Sequence, residues 1–267
     1  MGLAKPILLV GAGALGSSIL KGFRVQGHVT PSEVMILDLK PGEEAQAYAA
    51  DGAQLNPLPE TWHQAKTIIL AVKPQGWHAV AQILKPNISD DVVFVSVMAG
   101  VTTTQLKQAF ANHAVARVMP TTGVATGKGV ASLYADTTAG MAAARGLFAP
   151  MAQTVELAEE DQINSATAVS GSGPAYVYAF VRALEKAGRA NGLSYSHARD
   201  LARGTLISAA RLLDETGEDP EDLIRKVASP GGTTEAALNI LCKPGEGIDE
   251  LILASVDAAH KRSKELG

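Results

Sequence analysis

Two adjacent glycines lie between hydroxyl-bearing residues near the end of the chain, in Ser229-Pro230-Gly231-Gly232-Thr233-Thr234. Glycine lets a backbone turn sharply, and the good helix formers that follow from Glu235 predict that a helix begins there. The free N–H groups of a first helical turn attract anions. With the Ser and Thr hydroxyls beside them, we predict a site for a small carboxylate. The alternative is an ordinary helix start after a tight turn.

Three glycines with dinucleotide-binding spacing lie near the start of the chain, in Gly11-Ala12-Gly13-Ala14-Leu15-Gly16. The apolar run Ile7–Val10 precedes them and the helical pattern Ser17–Val25 follows, which is the context that this fingerprint requires. The first glycine makes the turn, the second lets the backbone approach a pyrophosphate, and the third allows close packing. We therefore predict that this stretch binds the pyrophosphate of NADH or NADPH.

An acidic residue follows the second predicted strand, Val34–Leu37. The Asp38 carboxylate can accept hydrogen bonds from the ribose hydroxyls of NAD, and it would repel the extra phosphate of NADP. Lys40 could partly offset that repulsion, and a simple turn residue is the alternative interpretation of Asp38. The predicted cofactor is NADPH or NADH, and Asp38 favours NADH.

Short motifs also follow the later predicted strands. Ligands of open parallel sheets bind at the carboxyl ends of the strands, so these motifs are expected to line the cofactor cleft. Ala71-Val72-Lys73-Pro74 is expected near phosphates or riboses, and Ala99 is small enough to admit the nicotinamide ring. The hydroxyls that follow Pro120, those of Thr121 and Thr122, are expected to point into the same cleft. Arg117 is expected to pair with a carboxylate for structural reasons.

Strands and helices alternate through the first 160 residues, and helices alone follow. The pattern predicts an α/β fold with an N-terminal Rossmann-type, doubly wound, mostly parallel sheet (1–160) and an all-helical dimerisation domain (161–267). The helical part is expected to bury its surplus apolar face against a second subunit, or alternatively against the first domain. Further predicted strands are Ile68–Val72, Val92–Val97, Val115–Met119, Val130–Tyr134 and Thr154–Leu157. Predicted helices include Glu43–Asp51, Trp77–Leu84, Thr138–Met151, Gln162–Ala190 and Gly247–Leu266.

Composition excludes several classes of function. The 267 residues carry a net charge of −4, so no global basic field exists to hold nucleic acid or an anionic membrane. The single cysteine excludes an internal disulfide framework, and the six histidines show no metal-ligand spacing. No apolar run approaches the ~18 residues of a membrane span. The apolar N-terminus superficially resembles a signal peptide, but the glycine turn and strand-helix alternation favour a buried strand. We therefore expect a cytoplasmic protein without a metal.

Five stretches occur in the order found in pyrroline-5-carboxylate reductases, and the chain resembles that family over nearly its whole length. They are Gly11–Gly16, Ala71–Pro74, Arg117–Pro120, Ala168–Tyr176 and Ser229–Thr234. The last two are the specific ones. The resemblance implies reduction of the cyclic imine pyrroline-5-carboxylate to proline with NADPH or NADH, the last step of proline biosynthesis. It also implies a homodimer, or a larger homo-oligomer built from dimers.

The resemblance further implies roles for single residues. Ser229 and the backbone of Gly231–Thr234 would hold the substrate carboxylate, and Thr234 would hydrogen-bond the ring nitrogen, acting first as an orienting group. Asn56 would lie near the adenine ribose. Two features depart from the family pattern. Thr121-Thr122-Gly123 replaces the usual Asn-Thr-Pro, and Asp38 replaces the small polar residues that accommodate a 2′-phosphate in many relatives.

Two other kinds of function remain as alternatives. A related cyclic-imine or β-hydroxyacid reductase could share the two-domain build, and a hydroxyacid enzyme would need a catalytic lysine, for which Lys186 is the nearby candidate. A non-catalytic dinucleotide-sensing module is the second alternative. The altered Thr121–Gly123 segment leaves it open, whereas the intact Ser229–Thr234 stretch argues against it.

Overall fold

The computed structural model describes residues 3–111 and 113–266 and divides the chain into two compact units. The first unit comprises Met1–Gly171 together with Ala259–Gly267, and the second comprises Ser172–Ala258. The sequence placed the boundary after residue 160, whereas this division lies after Gly171.

Hydrogen bonds explain why the end of the chain returns to the first unit. The Ser263 hydroxyl donates to Oδ1 of Asn164 at 2.9 Å, and the Lys264 ammonium lies 3.0 Å from the Asp161 carboxylate. These bonds tie the last turns of the C-terminal helix to the segment that follows the sheet. Neither pairing is visible in the sequence, because about a hundred residues separate the partners.

The first unit contains an eight-stranded sheet with the order β3-β2-β1-β4-β5-β6-β7-β8. Strands β1 to β6 are parallel, β7 runs antiparallel to β6, and β8 is parallel to β7. The mostly parallel Rossmann-type sheet is thus confirmed. The strands are β1 Ile7–Val10, β2 Val34–Leu37, β3 Gln54–Leu55, β4 Thr67–Leu70, β5 Val93–Ser96, β6 Ala114–Pro120, β7 Gly129–Ala135 and β8 Ala152–Glu156.

Helices cover both faces of this sheet. They are α1 Ala14–Gln26, α2 Glu43–Ala50, α3 Trp77–Leu84, α4 Thr103–Ala109, α5 Thr138–Phe148 and α6 Gln162–Ala166. Successive side chains of a strand point to opposite faces, so β1 supplies both cores. Ile7 and Leu9 belong to one buried cluster, and Leu8 and Val10 belong to the other. This explains why the central strands are apolar at every position.

Two elements were absent from the prediction. Strand β3 is only two residues long and its register is set by pairing with β2, so it has no apolar run of its own. Helix α4 is largely polar, but Thr102 and Gln105 form a capping box at its start. That local signal marks a helix start and could have identified α4 from the sequence.

The second unit consists of helices. They are α7 Gly173–Ala190, α8 Tyr195–Thr216, α9 Pro220–Val227, α10 Thr233–Leu241 and α11 Ile248–Glu265, the last of which ends in the first unit. The sequence Ser170-Gly171-Ser172-Gly173-Pro174 was expected to interrupt the predicted helix Gln162–Ala190. A π-helix, Thr167–Gly171, precedes α7, so the backbone remains helical through part of this interruption.

The described part of the second unit lacks a substantial apolar core. Ala198 and Ala202 are its only buried hydrophobic residues, whereas many large apolar side chains are exposed. They include Val177, Phe180, Leu201, Ile207, Leu212, Leu213, Ile240, Leu251, Ile252 and Leu253. A helical layer must bury its apolar stripe against another element, so these exposed side chains are expected to be covered by a further surface.

None of the helices formed by the described residues is both long enough and apolar enough to span a bilayer.

A single methyl group at Gly22 is expected to destabilise the first unit. A Cβ built there would lie 2.6 Å from both the Met151 sulfur and the Val124 carbonyl oxygen, and backbone atoms cannot easily move away. We expect Gly22→Ala to lower the free energy of unfolding by about 2 kcal/mol, a typical cost of overpacking. Urea denaturation measures this directly. Gly42→Ala is the matched control, because no atom lies within 4 Å of its Cβ position, and it should change stability by less than about 1 kcal/mol.

Candidate active site

The glycine-rich loop between β1 and α1 has the backbone geometry of a dinucleotide site. Gly11 has φ +95°, and a Cβ there would lie 2.6 Å from the Ala71 carbonyl oxygen. A Cβ on Gly16 would overlap the carbonyl oxygen of Gly11, whereas the Cβ position of Gly13 is open. The first and third glycines are therefore required by close packing, and the second leaves the loop accessible.

The amino end of α1 is free to bind an anion. No side chain caps this helix, and its first turn carries no acidic residue. Within the described part of the chain, the N–H groups of Gly13–Gly16 have no protein acceptor; the first helical bond runs from Ser17 to Gly13. Free N–H groups and the helix dipole favour a phosphate at this end. The predicted residues Ala12, Ala14 and Leu15 lie in the same loop and first turn.

Asp38 is fixed beside this loop. Its Oδ2 accepts the N–H of Ala12 at 2.6 Å, and its Oδ1 accepts the N–H of Lys40 at 2.7 Å. Gly11 in turn donates to the Leu37 carbonyl at 2.8 Å. The prediction thus paired a glycine loop with an acid that the structure brings into direct contact with it.

Asn56 lies on the other side of Asp38. Its Oδ1 accepts the N–H of Asp38 and its Nδ2 donates to the carbonyl of Asp38, both at 2.9 Å. Among the described residues, the side-chain amide therefore contacts the backbone that carries the acid. This arrangement was not predicted, since the family resemblance implied only a position near the adenine ribose.

The remaining predicted cofactor residues follow the carboxyl ends of β4, β5 and β6. Ala71 and Val72 are half-buried just beyond β4, Lys73 is exposed, and Pro74 opens a short 3₁₀ turn. Ala99 is half-buried beyond β5. These segments share one sheet edge with the glycine loop, because neighbouring strands β1, β4, β5 and β6 are parallel.

The two hydroxyls after β6 have different surroundings. Pro120 is buried at the end of the strand. Thr121 is buried as well, and its Oγ1 accepts the Val130 N–H at 3.1 Å. Thr122 is exposed. The two hydroxyls therefore do not share one environment, since the Thr121 hydroxyl bonds to β7 and Thr122 is exposed. Contact of Thr121 with the cofactor stays a prediction.

Leu39 is a feature that the sequence analysis missed. Its side chain is fully exposed directly after Asp38, where it gains nothing from packing within the chain. Leu58, two residues after Asn56, is exposed as well. Because Asp38 and Asn56 are hydrogen-bonded, both leucines flank the same strand end. Two exposed leucines beside an acid that is predicted to bind the ribose are suited to contact a flat base.

Arg117 is buried and pairs with Glu160, as expected of a structural arginine. Its exposed fraction is 2%, and its Nη1 lies 3.0 Å from Oε1 of Glu160. Burial lowers the pKa of Arg117, and the bond to Glu160 opposes that shift. The same carboxylate accepts the N–H and the hydroxyl of Thr103, each at 2.6 Å. Glu160 therefore joins β6 to the start of α4, which follows the loop carrying Ala99.

Glu160→Gln is expected to lower the free energy of unfolding by about 2 kcal/mol. The carboxylate accepts three donors, and an amide would present a donor to one of them and deprive buried Arg117 of its paired counter-charge. Chemical denaturation gives the difference. Glu159→Gln is the control, because this neighbouring side chain is exposed, and its effect should stay within about 0.5 kcal/mol.

The Ser229–Thr234 turn lies in the second unit, at the start of α10. Gly231 has φ +70°, and the Gly232 N–H donates to the Ser229 carbonyl at 3.0 Å, which closes the turn. Thr233 and Thr234 are the first two residues of the helix. In residues 3–111 and 113–266, neither their N–H groups nor their hydroxyls have a protein partner. These donors are suited to a small carboxylate.

Glu235 adds an interaction that the sequence analysis did not anticipate. Its Oε2 accepts the N–H of Gly231 at 2.8 Å, so one amide of the turn is satisfied from within. The amides of Thr233 and Thr234 are then the ones left for a ligand.

Over the ranges that the structure describes, no group of three or more His, Cys, Asp or Glu side chains could hold a metal ion.

Family models match both parts of the chain. Residues 160–266 match the pyrroline-5-carboxylate reductase dimerisation family. Residues 6–100 match the family described as NADP oxidoreductase, coenzyme F420-dependent. The dinucleotide loop and the helical part are thus recognised separately, in agreement with a nicotinamide dinucleotide cofactor.

Relatives that match the chain over nearly their full length are also pyrroline-5-carboxylate reductases. The chain is 34% identical to the pyrroline-5-carboxylate reductase of Pseudomonas aeruginosa, over 97% of this chain and 96% of the relative. It is 32% identical to the enzyme of Synechocystis, over 97% of each. A reductase structure from Coxiella burnetii superposes with a TM-score of 0.87 at 27% identity over 98% of both chains. The NADP-bound Plasmodium falciparum structure has a TM-score of 0.86 at 23% identity, covers all of both chains and shares the fold. The chain therefore belongs to the pyrroline-5-carboxylate reductase family.

Proposed function

We propose that this protein reduces 1-pyrroline-5-carboxylate to L-proline, the last step of proline biosynthesis, with a reduced nicotinamide dinucleotide. The observation that carries the proposal is the Ser229–Thr234 turn, which presents free donors for a carboxylate on a chain that is 34% identical to a full-length reductase. When bound, the cofactor supplies the hydride. The protein's task is to hold and orient both reactants.

The first unit provides the groups for the dinucleotide. The N–H groups of Gly13–Gly16 at the start of α1 bind the pyrophosphate, and Asp38 accepts the ribose hydroxyls. Lys73 lies beyond β4 at the same edge, where an exposed cation can pair with phosphate. Ala99 has only a methyl group beyond β5, which leaves room for the nicotinamide ring.

The turn in the second unit provides the groups for the substrate. The Thr233 and Thr234 N–H groups bind the carboxylate together with the Ser229 hydroxyl, and the Thr234 hydroxyl orients the ring nitrogen. The imine takes its proton from solvent and reacts as the iminium; hydride then adds to the carbon of the C=N bond, and the nitrogen becomes the secondary amine. A Thr hydroxyl is a poor acid, so Thr234 acts by orientation. Such positioning contributes roughly 7–11 kcal/mol in favourable cases.

The cofactor is proposed to be NADH in preference to NADPH. The Asp38 carboxylate is held at the glycine loop by two backbone N–H groups, where a 2′-phosphate would meet a negative charge. A relative of similar fold, from Plasmodium falciparum, is described with NADP bound. The preference proposed for this chain depends on Asp38.

The working protein is proposed to be a cytoplasmic homodimer, or a larger assembly of dimers. Support comes from the exposed apolar faces of α7, α8, α10 and α11 and from the match of residues 160–266 to a dimerisation family. Sedimentation equilibrium would give a mass that is a multiple of twice 27.7 kDa. A monomer at micromolar concentration would refute the proposed dimer.

A comparison of two imines tests the substrate. With NADH, pyrroline-5-carboxylate should yield proline, identified by mass spectrometry, whereas 1-pyrroline, which lacks the carboxylate, should react at least about a hundredfold less efficiently. The loss corresponds to about 2.7 kcal/mol from charge-assisted hydrogen bonds. Equal reactivity of the two imines would mean that the turn does not bind the carboxylate.

A further inference from the structure

The side chain of Asn56 binds both backbone groups of one residue. Oδ1 accepts the Asp38 N–H and Nδ2 donates to the Asp38 carbonyl, as a neighbouring strand would. Asn56 stands immediately after β3, and its own N–H donates to the Ile36 carbonyl of β2 at 2.7 Å. The side chain therefore extends the pairing between β2 and β3 to the residue that follows β2.

The backbone of Asn56 is in an uncommon conformation. Its φ is +47°, and it is the only non-glycine residue with a positive φ in the part of the chain that the structure describes. Asparagine tolerates this region better than most residues because its short polar side chain bonds locally. Such a conformation persists where the surroundings fix it, and it often marks a functional position.

Asp38 is consequently held at four points. Asn56 binds its N–H and its carbonyl, while Ala12 and Lys40 donate N–H groups to its two carboxylate oxygens. A carboxylate has about four acceptor positions, so two remain for ligand hydroxyls. A ribose offers two adjacent hydroxyls, which matches the number left.

We propose that Asn56 is a positioning residue that sets cofactor preference by holding Asp38, and that it does not act as a direct contact of the 2′-phosphate. The inference rests on the proposed use of Asp38 for the ribose of NADH. The amide oxygen and one amide proton of Asn56 are already engaged by Asp38, so its influence on the cofactor passes through that carboxylate. Loss of the amide frees the strand end, and the carboxylate loses its fixed orientation against the glycine loop.

Asn56→Gly is the informative variant, because glycine adopts φ +47° without strain and only the amide is lost. Dissociation constants of NADH and NADPH are measured by titration of nicotinamide fluorescence, in the wild type, Asn56→Gly, Asp38→Ser and the double variant. We expect Asn56→Gly to weaken NADH binding roughly tenfold, because this corresponds to the loss of about one hydrogen bond between the Asp38 carboxylate and the ribose. The binding of NADPH should change little. In the Asp38→Ser background the same change should leave the NADPH to NADH ratio unaltered.

The outcomes separate the proposed preference for NADH from the positioning role of Asn56. If the wild type binds NADPH more tightly, the proposed NADH preference fails, yet coupling between positions 38 and 56 would still support the positioning role. Equal weakening of both cofactors by Asn56→Gly would overturn the positioning role. A shift in the ratio that persists in the Asp38→Ser background would also overturn it, because Asn56 would then contact the cofactor directly. Fluorescence titration needs no turnover, so these results do not depend on the identity of the imine.

Discussion

Asp38→Ser is expected to raise the ratio of kcat/KM for NADPH to that for NADH by about a hundredfold. NADH loses a charge-assisted hydrogen bond to its ribose, and the 2′-phosphate of NADPH no longer faces a carboxylate. The two effects together amount to about 2.7 kcal/mol. The serine hydroxyl can still accept a hydrogen bond from the loop, so the glycine turn should stay intact. Initial rates with each cofactor, at saturating imine, give the ratio.

Leu39→Ala provides the matched control for this change. Leu39 follows Asp38 and is fully exposed, and it carries no charge that could discriminate the two cofactors. Its removal should raise the KM values of NADH and NADPH by similar factors. A wild-type enzyme with a strong preference for NADPH, or an Asp38→Ser variant whose ratio is unchanged, would contradict the role given to Asp38.

Thr234→Val is expected to lower kcat/KM for pyrroline-5-carboxylate by about a hundredfold while leaving the KM for NADH unchanged. Valine has nearly the same shape, so the start of α10 and its free N–H groups are kept, and only the hydroxyl that orients the ring nitrogen is lost. Removal of one donor aimed at a reacting centre typically costs this much. Steady-state kinetics with the imine as the varied substrate measure the effect.

Asn239→Ala is the control on the same helix. Asn239 is exposed and lies beyond the first turn of α10, so its replacement should leave both kinetic constants within about twofold of the wild type. If Thr234→Val were as active as this control, the Thr234 hydroxyl would have no part in orienting the imine.

The features that could be predicted from the sequence are those encoded locally. The glycine loop was recognisable because its spacing, the apolar run before it and the helix after it are contiguous. Asp38 was recognisable because it ends the next strand, and parallel strands bring their carboxyl ends to one edge. The Ser229–Thr234 turn was recognisable because its two glycines and the start of the following helix lie within a few residues.

The features that could not be predicted depend on distant partners. Glu160 contacts Thr103 across 57 residues, and no local sequence pattern near either residue predicts the contact. The orientation of the Thr121 hydroxyl depends on the Val130 N–H, which lies on an antiparallel strand in a sheet expected to be mostly parallel. Asn56 reaches Asp38 because two residues form β3, a strand too short to leave a hydrophobic pattern. The resemblance placed Asn56 near the cofactor, but its hydrogen bonds to Asp38 required the structure.

The most direct test of the assigned chemistry is the oxidation of NADH by the purified protein in the presence of pyrroline-5-carboxylate. We expect one NADH to be consumed for each proline formed, with NADPH used less efficiently. A folded protein that binds the dinucleotide but consumes neither cofactor with this imine would contradict the proposal that the chain is a working reductase of pyrroline-5-carboxylate.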